Sequence, residues 1–321
     1  MLKIGSLKLK SNLILSPMAG ISDLPFRLLN RGFGAELAFV EMINARSLGH
    51  NSKKTKFMLS TTPEDKPLGV QLLGCEPNFI LRALDILNKY EFDLLDFNAA
   101  CPAKKVTRRG EGSSLLKDPK KLNQLLKLVV KNSSKPVSVK IRAGWDQDSL
   151  NAREAALYAQ DAGITALFIH GRTKAQGYSG TVDYQVIKSV KEALAIPVIA
   201  SGDILSAPLA KKMFSETGCD GLAVARGSLG NPWIFREIPA FLKNDKILPR
   251  PDSQEVIRIM LEHLDMCADF YEEKIGVVIF RKFIAWYTRG FRKIRPLREK
   301  ASRVKTKSEI LKLSADFLSA N

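Results

Sequence analysis

The sequence contains little cysteine, few acidic residues relative to basic ones, and no long apolar run. Its four Cys, at positions 75, 101, 219 and 267, form no Cys-x-x-Cys pair, so the chain is not a disulfide scaffold and a reducing compartment is expected. No apolar run reaches the roughly 18 residues that a membrane helix needs, and the N-terminus lacks the apolar core and cleavage site of a signal peptide. These features predict a cytoplasmic protein without membrane contact, and no feature predicts a stable protein partner.

Basic residues dominate the charge balance. The chain has 50 Lys and Arg against 33 Asp and Glu, a net charge of +17. Nucleic acid is the leading class of partner for such a chain, and a general solubility charge is the alternative. Residues 281–307 hold eleven Lys or Arg and one acid, Glu299, for a net charge of +10. Phe283, Trp286 and Tyr287 recur there at core-facing helical spacing, whereas the cations favour a nucleic-acid surface.

Short apolar runs alternate with amphipathic helical stretches over the first 240 residues. Eight runs read as strands buried on both faces: Leu13–Ser16, Ala38–Glu41, Leu68–Leu72, Leu94–Asn98, Val137–Lys140, Ala166–His170, Val198–Ser201 and Gly221–Ala225. The alternation predicts an α/β fold, a (β/α)₈ TIM barrel. A doubly wound sheet is the alternative, but it usually has fewer strands, and no Gly-x-Gly-x-x-Gly follows the first run.

The alternation stops near residue 240, and a Pro-rich linker at 248–252 precedes a helical tail. Three helices are expected in the tail, over Ser253–Tyr271, Gly276–Arg289 and Lys307–Leu318. We therefore predict a catalytic barrel domain at 1–240 and a small helical domain at 241–321. The helical domain contains the basic segment, whose candidate RNA contacts are Arg292, Lys293 and Arg295.

Polar residues stand at the carboxyl ends of the predicted strands. They are Glu41, Gln71, Asn98, Lys140, His170, Asp203 and Arg226. Barrel enzymes build their active sites at that end of the barrel. One such residue could merely cap a loop, but seven on different strands indicate an active site.

Cys101 follows the fourth predicted strand and would stand in a loop above the barrel mouth, next to Pro102, Lys104 and Lys105. A thiol there can act as a nucleophile, a metal ligand or a proton donor. A metal is not expected, because no second Cys or His lies at ligand spacing. The other three Cys, and His50 and His263, are interpreted as structural.

Other strand ends predict how an anionic ring compound could be held. The loops containing Gly202 and Gly227 occupy the positions at which many barrels bind phosphate, and Arg226 adds a charge. Lys140 would place a cation beside a bound ring, as a reduced flavin requires. His170 could position the substrate or flavin, and Arg172 could bind a phosphate or a carbonyl group.

Six ordered segments together resemble a known family. They are Pro17-Met18-Ala19-Gly20, Asn98-x-x-Cys101-Pro102-x-x-x-Val106, Lys140-Ile141-Arg142, His170-Gly171-Arg172-Thr173, Gly202-Asp203 and Asn231-Pro232-Trp233-Ile234-Phe235. This set closely resembles the bacterial tRNA-dihydrouridine synthases, and the subgroup lettered B most of all. The resemblance covers nearly the whole chain, including the tail.

The resemblance implies an FMN-bearing barrel with a C-terminal tRNA-binding domain, NADPH as the reductant, and a uridine of tRNA flipped into the barrel mouth. Hydride passes to C6 of uracil, and Cys101 protonates C5, giving 5,6-dihydrouridine. Carried over by position, the flavin contacts are Pro17, Met18, Ala19, Gln71, Lys140, His170, Ser201, Gly202, Asp203, Ala225 and Arg226. The substrate or RNA contacts are Asn98, Arg172, Lys104, Lys105, Arg292, Lys293 and Arg295.

Three positions depart from the family pattern. Ala100 replaces the Gly before the cysteine, Ser201 replaces an Asn, and Ala225 replaces a Gly. Ala100 is expected to narrow the conformations of the loop, and the other two to alter details of flavin contact. Which tRNA uridine is reduced is not fixed by the motifs.

Two alternatives remain open from the residues alone. An FMN barrel of the dihydroorotate dehydrogenase type would share the flavin and the pyrimidine chemistry but act on a free small molecule. A non-catalytic RNA-binding barrel would share the basic tail. The basic segment disfavours the first, and the complete polar set at the strand ends disfavours the second.

Overall fold

A computed structural model describes residues 1–291 and 294–319 of the chain. The chain opens with an antiparallel hairpin, β1 (Leu2–Ile4) and β2 (Leu7–Leu9). Nine parallel strands follow: β3 (Leu13–Leu15), β4 (Leu37–Phe39), β5 (Ile43–Asn44), β6 (Leu68–Leu73), β7 (Leu94–Asn98), β8 (Val137–Arg142), β9 (Ala166–His170), β10 (Val198–Ser201) and β11 (Gly221–Val224).

Eight of these strands close into a barrel. Each pairs in parallel with the next in the chain, β4 pairs with β6, and β11 returns to pair with β3 through Leu222 and Leu13. The short β5 pairs with the far end of β6, outside the ring. The TIM barrel predicted from the sequence is confirmed, and all eight predicted strands are present with ends shifted by no more than two residues.

The interior of the barrel is apolar at the bottom and polar at the top. Side chains of one core cluster fill the lower part, where the rings of Phe39 and Phe168 meet edge to face at 5.6 Å. Leu2, Ile4 and Leu9 of the β1–β2 hairpin belong to the same cluster and close the lower end. Alternate residues of a strand face the same side. Nearer the carboxyl ends of the strands, the residues that face inward are polar.

Helices surround the barrel and form the tail. They are α1 (Leu24–Gly32), α2 (Ala45–Gly49), α3 (Lys53–Phe57), α4 (Pro77–Leu87), α5 (Lys104–Thr107), α6 (Pro119–Asn132), α7 (Ala152–Asp161), α8 (Tyr184–Ala193), α9 (Ala207–Thr217), α10 (Ile234–Asn244), α11 (Ser253–Tyr271), α12 (Glu273–Tyr287), α13 (Arg295–Ala301) and α14 (Lys307–Ser319). Three short 3₁₀ turns lie at Gly112–Lys117, Gln147–Ser149 and Arg226–Ser228.

Asp118, Ser149 and Ser206 each precede an amphipathic stretch of the sequence, and helix starts are expected at all three. The caps confirm two of these starts. Asp118 accepts the amide hydrogen of Lys121 at the start of α6, and Ser206 accepts that of Leu209 at the start of α9. The start predicted at Ser149 is wrong, because Ser149 instead bonds to Asp146 in a 3₁₀ turn and α7 begins after Asn151.

The tail packs its aromatic residues onto the first barrel helix. Phe26 of α1 stacks on Phe283 of α12 at 5.7 Å and lies 5.8 Å from the ring of His263 of α11. Phe283 and Tyr287 are buried, as their spacing predicts, and Trp286 is partly buried. The division into domains at 1–240 and 241–321 stays a prediction: α10 ends at Asn244, and α11 begins at Ser253.

Among the described residues, no helix combines the length and apolar character needed to cross a membrane.

Candidate active site

A cavity of about 460 Å³ opens at the carboxyl ends of the barrel strands. Its walls come from the loops that follow most of the strands. The lining residues are Pro17, Met18, Ala19, Ile21, Met42, Gln71, Asn98, Ala100, Cys101, Pro102, Lys140, Arg142, His170, Tyr178, Ser201, Gly202, Asp203, Ile204, Leu205, Ala223, Ala225, Arg226, Gly227 and Leu229.

All eleven residues predicted as flavin contacts lie in this lining, together with Cys101 and Asn98. Of the seven polar strand ends, only Glu41 is outside the lining; its carboxylate accepts a hydrogen bond from the amide of Gly20. Glu41 therefore stabilises the Pro17–Gly20 loop from outside the cavity lining.

Apart from Asn98, the predicted RNA contacts that the structure describes lie outside the cavity lining. Lys104 and Lys105 are exposed on α5, in the loop region that carries Cys101. Arg295 is exposed on α13 and pairs with Glu299. Arg292 and Lys293 lie outside the described residues.

Lys140 and Asp96 place opposite charges beneath the cavity. Burial lowers the pKa of the Lys140 ammonium to about 8, and Asp96 opposes that shift. Burial raises the pKa of Asp96 to about 6, against hydrogen bonds from Gln71 and Ser138 and the charge of Lys140. At pH 7 both groups are therefore charged, and Lys140 presents a cation to the cavity.

His170 presents a neutral imidazole. Burial, reinforced by the nearby charges of Arg142, Lys140, Arg172 and Arg226, lowers its pKa to about 2. Its Nε2 atom is buried, and none of the described residues bonds to it. Buried polar atoms are nearly always paired in native proteins, so this nitrogen is available to a ligand in the cavity.

Gly202 makes room for that imidazole. Its φ of +111° is in the region that favours glycine, and a Cβ there would lie 2.5 Å from Cδ2 of His170. The absence of a side chain thus allows the backbone of the β10 loop to run directly against the histidine.

Asp203 joins two arginines at one end of the cavity. Its Oδ2 accepts from Nη2 of the buried Arg172 at 2.5 Å, and its Oδ1 accepts from Nη2 of Arg226 at 2.8 Å. Arg172 also donates to the backbone carbonyls of Ser179 and Gly180. Arg226 lines the cavity, whereas Arg172 does not. Arg172 is connected to the cavity lining by its hydrogen bond to Asp203.

The Cys101 loop is held by backbone hydrogen bonds. Oδ1 of Asn98 accepts from the amides of Ala100 and Cys101 at 3.0 and 2.9 Å. The carbonyl of Cys101 accepts from the hydroxyl of Ser113 at 2.9 Å. Burial raises the pKa of the Cys101 thiol above its ordinary value of 9. The thiol is therefore protonated at neutral pH and can give up a proton to a substrate.

Sequence reasoning missed Arg142 and Tyr178 as lining residues. The guanidinium of Arg142 donates to the carbonyls of Ala100, Thr173 and Gly177, which ties the Cys101 loop to the loop after β9. Arg142 could have been found from its inward register, two residues after Lys140. Tyr178, whose ring lies 4.7 Å from the guanidinium of Arg226, comes from an irregular loop with no periodic signal.

The remaining Cys and His residues lie outside the cavity lining. Cys219 and Cys267 are buried, Cys75 is partly buried, and His50 is exposed. His263 is buried under the tail. The described part of the chain contains no group of three or more His, Cys, Asp or Glu placed to hold a metal ion.

The chain matches the family described as dihydrouridine synthase (Dus) over residues 14–321. It is 42% identical over 289 residues to tRNA-dihydrouridine synthase B of Pasteurella multocida, covering 90% of this chain and 87% of that relative. It is 42% identical over 285 residues to the protein of the same name from Pseudomonas aeruginosa, covering 89% and 86%. The similarity thus extends through both the barrel and the tail.

Two solved structures share the fold. One is 6-hydroxypseudooxynicotine amine oxidase of Pseudomonas geniculata, with a TM-score of 0.59 and 14% identity over 80% of this chain and 52% of that one. The other is histamine dehydrogenase of a Rhizobium species, with a TM-score of 0.57 and 12% identity over 88% and 50%. The chain spans about half the length of each, and at these identities the likeness shows the fold alone.

Proposed function

Because this chain belongs to the dihydrouridine synthase family, we propose that it reduces a uridine of tRNA to 5,6-dihydrouridine at the mouth of the barrel. The protein is an oxidoreductase of that family. The observation that carries the proposal is the meeting of three groups in one cavity: the protonated thiol of Cys101, the cation of Lys140 and the unpartnered neutral imidazole of His170.

We propose FMN as the resident cofactor, and the lining fits it. Met18 and Leu229 offer apolar surface, while Lys140 offers a cation for the pyrimidine edge of the ring. His170 Nε2 lacks a partner that a ligand would supply. Elsewhere in the lining, the cationic side chain of Arg226 suits a phosphate.

When bound, the flavin would supply the hydride that reaches C6 of uracil, with NADPH as the reductant of the cycle. The residues of the chain do the rest. Lys140 stays positive at pH 7 beside the site where negative charge builds up. Cys101 holds a proton near C5 of the pyrimidine, and the Asn98 bonds fix the loop that presents it. Arg142 ties this loop to its neighbour and keeps it closed on the cavity.

We propose that the two predicted domains divide the work, with residues 1–240 holding the flavin and residues 241–321 binding tRNA. Extruding a base from folded RNA costs a few kcal/mol, which phosphate contacts must offset. The basic segment 281–307 and the exposed Lys104 and Lys105 are the cations proposed for that role. Because the proposed substrate is tRNA, we propose that the protein acts in the cytoplasm.

The decisive experiment is a dihydrouridine map of tRNA. Purified protein is incubated with NADPH and tRNA from a strain that lacks this protein, and the product nucleosides are located by mass spectrometry. We expect the protein to be yellow with bound flavin and to form dihydrouridine at a defined position. If flavin is bound but only free pyrimidines are turned over, the tRNA assignment is wrong. If no flavin is bound after reconstitution, the cofactor assignment is wrong.

A further inference from the structure

A chain of three hydrogen-bonded side chains, Asp96, Gln71 and Asn98, leads from the barrel interior to the backbone of Cys101. Asp96, inward-facing on β7 and 1% exposed, accepts from Ser138 Oγ at 2.7 Å and from Gln71 Nε2 at 2.6 Å. Gln71 Oε1 then accepts from Asn98 Nδ2 at 2.7 Å. Asn98 Oδ1 in turn accepts from the amide of Cys101 at 2.9 Å.

The two ends of this relay allow only one orientation of the amides between them. An ionised carboxylate accepts hydrogen bonds and cannot donate, so Asp96 requires Gln71 to point its Nε2 inward. A backbone N–H can only donate, so Cys101 requires Asn98 to point its Oδ1 outward. Gln71 Oε1 and Asn98 Nδ2 are then left facing each other as acceptor and donor. If either amide flipped, two donors or two acceptors would oppose each other in a buried site.

Asp96 has no direct access to a ligand. It is absent from the cavity lining, whereas Gln71 and Asn98 line it. A buried carboxylate is costly unless its neighbours repay the loss of hydration, and an apolar residue would suit the interior better on stability grounds alone. The cost is explained if the carboxylate orients groups that do contact the ligand.

We propose that Asp96 is a positioning residue that sets the direction of the Gln71–Asn98 relay and thereby holds the Cys101 loop in its donor position. The role rests on the proposed function for its catalytic consequence, but the relay itself is a property of the folded chain. Its loss would free the Gln71 amide to turn its Oε1 away from Asn98. Asn98 would then lose the bond that holds it against the backbone amides of Ala100 and Cys101, and the thiol could move out of its partly buried site.

Three variants separate the relay from other roles of the same carboxylate. Asp96→Leu removes the acceptor. Asp96→Asn removes the charge but keeps an oxygen that can accept from Gln71, since its amide nitrogen can donate to the hydroxyl of Ser138. Ser138→Ala is the matched control, because it removes a hydrogen bond of similar length to the same carboxylate without touching the relay.

The main readout is the alkylation rate of Cys101 by iodoacetamide, followed on its own peptide by mass spectrometry so that Cys75 does not interfere. It is measured in flavin-free and flavin-loaded protein. We expect Asp96→Leu to raise the rate at least three-fold in both forms, and Asp96→Asn and Ser138→Ala to stay within two-fold of the wild type. In single turnover with tRNA, Asp96→Leu should slow uridine reduction about ten-fold or more, and Asp96→Asn should recover most of that loss.

The outcomes are separable. If Asp96→Leu leaves the Cys101 alkylation rate unchanged, the relay does not hold the loop. If Asp96→Asn and Asp96→Leu change NADPH-driven flavin reduction equally while Cys101 stays protected, Asp96 acts through the charge of Lys140, and the proposal is overturned. Should Asp96→Leu fail to fold, Asp96→Ala, which leaves room for water, takes its place. The alkylation results stand even if tRNA is not the substrate, so failure of the proposed function would show separately.

Discussion

Lys282, on helix α12 of the tail, donates a hydrogen bond from Nζ to the backbone carbonyl of Gly20 in the loop after the first barrel strand. The amide of the same glycine donates to Glu41. Residues 17–19 of this loop line the cavity. The tail therefore supports the loop that forms one wall of the cavity, and a residue from the predicted RNA-binding domain contributes to the proposed flavin site.

Replacement of Lys282 by Met should weaken flavin binding. The variant keeps most of the aliphatic stem but removes the donor to Gly20, and one such hydrogen bond is worth about 1 kcal/mol. We expect a three- to ten-fold rise in the FMN dissociation constant, measured by fluorescence quenching on apoprotein. Lys274→Met, at an exposed lysine of the same helix, is the matched control. Equal affinities for the two variants would show that the contact does not support the loop.

Gly202→Ala should damage the flavin site more than it damages the fold. The new Cβ would meet the His170 ring at 2.5 Å, and the positive φ adds strain of about 1–3 kcal/mol. We expect a lower Tm and at least a ten-fold loss of FMN affinity. Gly218→Ala is the control, because Gly218 also has a positive φ, of +65°, but open space around it. It should lower the Tm without altering flavin affinity, and a similar flavin loss in both variants would implicate strain alone.

The sequence predicted the barrel and most of the cavity because both depend on local signals. Apolar runs specify the strands, and the inward residue at each carboxyl end must face the mouth once the ring closes. That is why His170 and Lys140 could be placed in the cavity from the sequence alone. The same logic assigned Arg172 to the substrate, but its guanidinium turns away to bind Asp203 and two backbone carbonyls. The RNA-contact role of Arg172 stays a prediction.

Long-range contacts between loops could not be predicted in this way. The bond between Lys282 and Gly20 joins positions 262 residues apart, so no local pattern indicates it. Helix α13 was missed for another reason, because its seven residues are too few to show a helical period. The deeper polar layer was also missed, since Asp96 and Ser138 stand inside strands that read as apolar runs. The inward direction of both follows from the two-residue alternation with Asn98 and Lys140, but the hydrogen bonds between side chains of neighbouring strands depend on barrel closure, which no local pattern encodes.

Cys101→Ala should retain FMN and tRNA binding and slow uridine reduction strongly. Removing a general acid typically costs 10²- to 10⁴-fold in rate. Burial raises the pKa of the Cys101 thiol, so the thiol stays protonated while the Lys140 ammonium, with a pKa of about 8, loses its charge. The wild-type single-turnover rate should therefore hold near neutral pH and fall as the pH rises past about 8. Stopped-flow oxidation of the NADPH-reduced enzyme by tRNA measures both effects, with Cys75→Ala as the control. Near wild-type dihydrouridine formation by Cys101→Ala would remove the thiol from the mechanism.

His263→Gln should reduce the loss of unfolding free energy that occurs as the pH falls below about 6.5. Burial lowers the pKa of His263 to about 3, below the value of about 6.5 expected when the chain is unfolded. The unfolded chain therefore binds one more proton between these values, and stability falls as pH drops below 6.5. Gln can keep a bond to the Tyr287 hydroxyl, 3.1 Å from Nδ1 in the wild type. Urea unfolding at several pH values should show a slope smaller by up to about 1.4 kcal/mol per pH unit; an unchanged slope would mean that His263 does not titrate on unfolding.

Charge reversal in the tail should separate RNA binding from flavin chemistry. Glu at positions 292, 293 and 295 replaces Arg292, Lys293 and Arg295, of which Arg295 is exposed on α13. Each lost phosphate contact reduces the slope of log K against log salt by about 0.7–0.9. We expect weaker tRNA binding and a shallower salt dependence in electrophoretic shift assays, with NADPH-driven flavin reduction unchanged. Lys3, Lys8 and Lys10, on the hairpin that closes the opposite end of the barrel, provide a triple-Glu control of equal charge change. Equal loss of affinity in both triple variants would indicate a response to net charge, because a specific RNA surface must distinguish the two ends of the molecule.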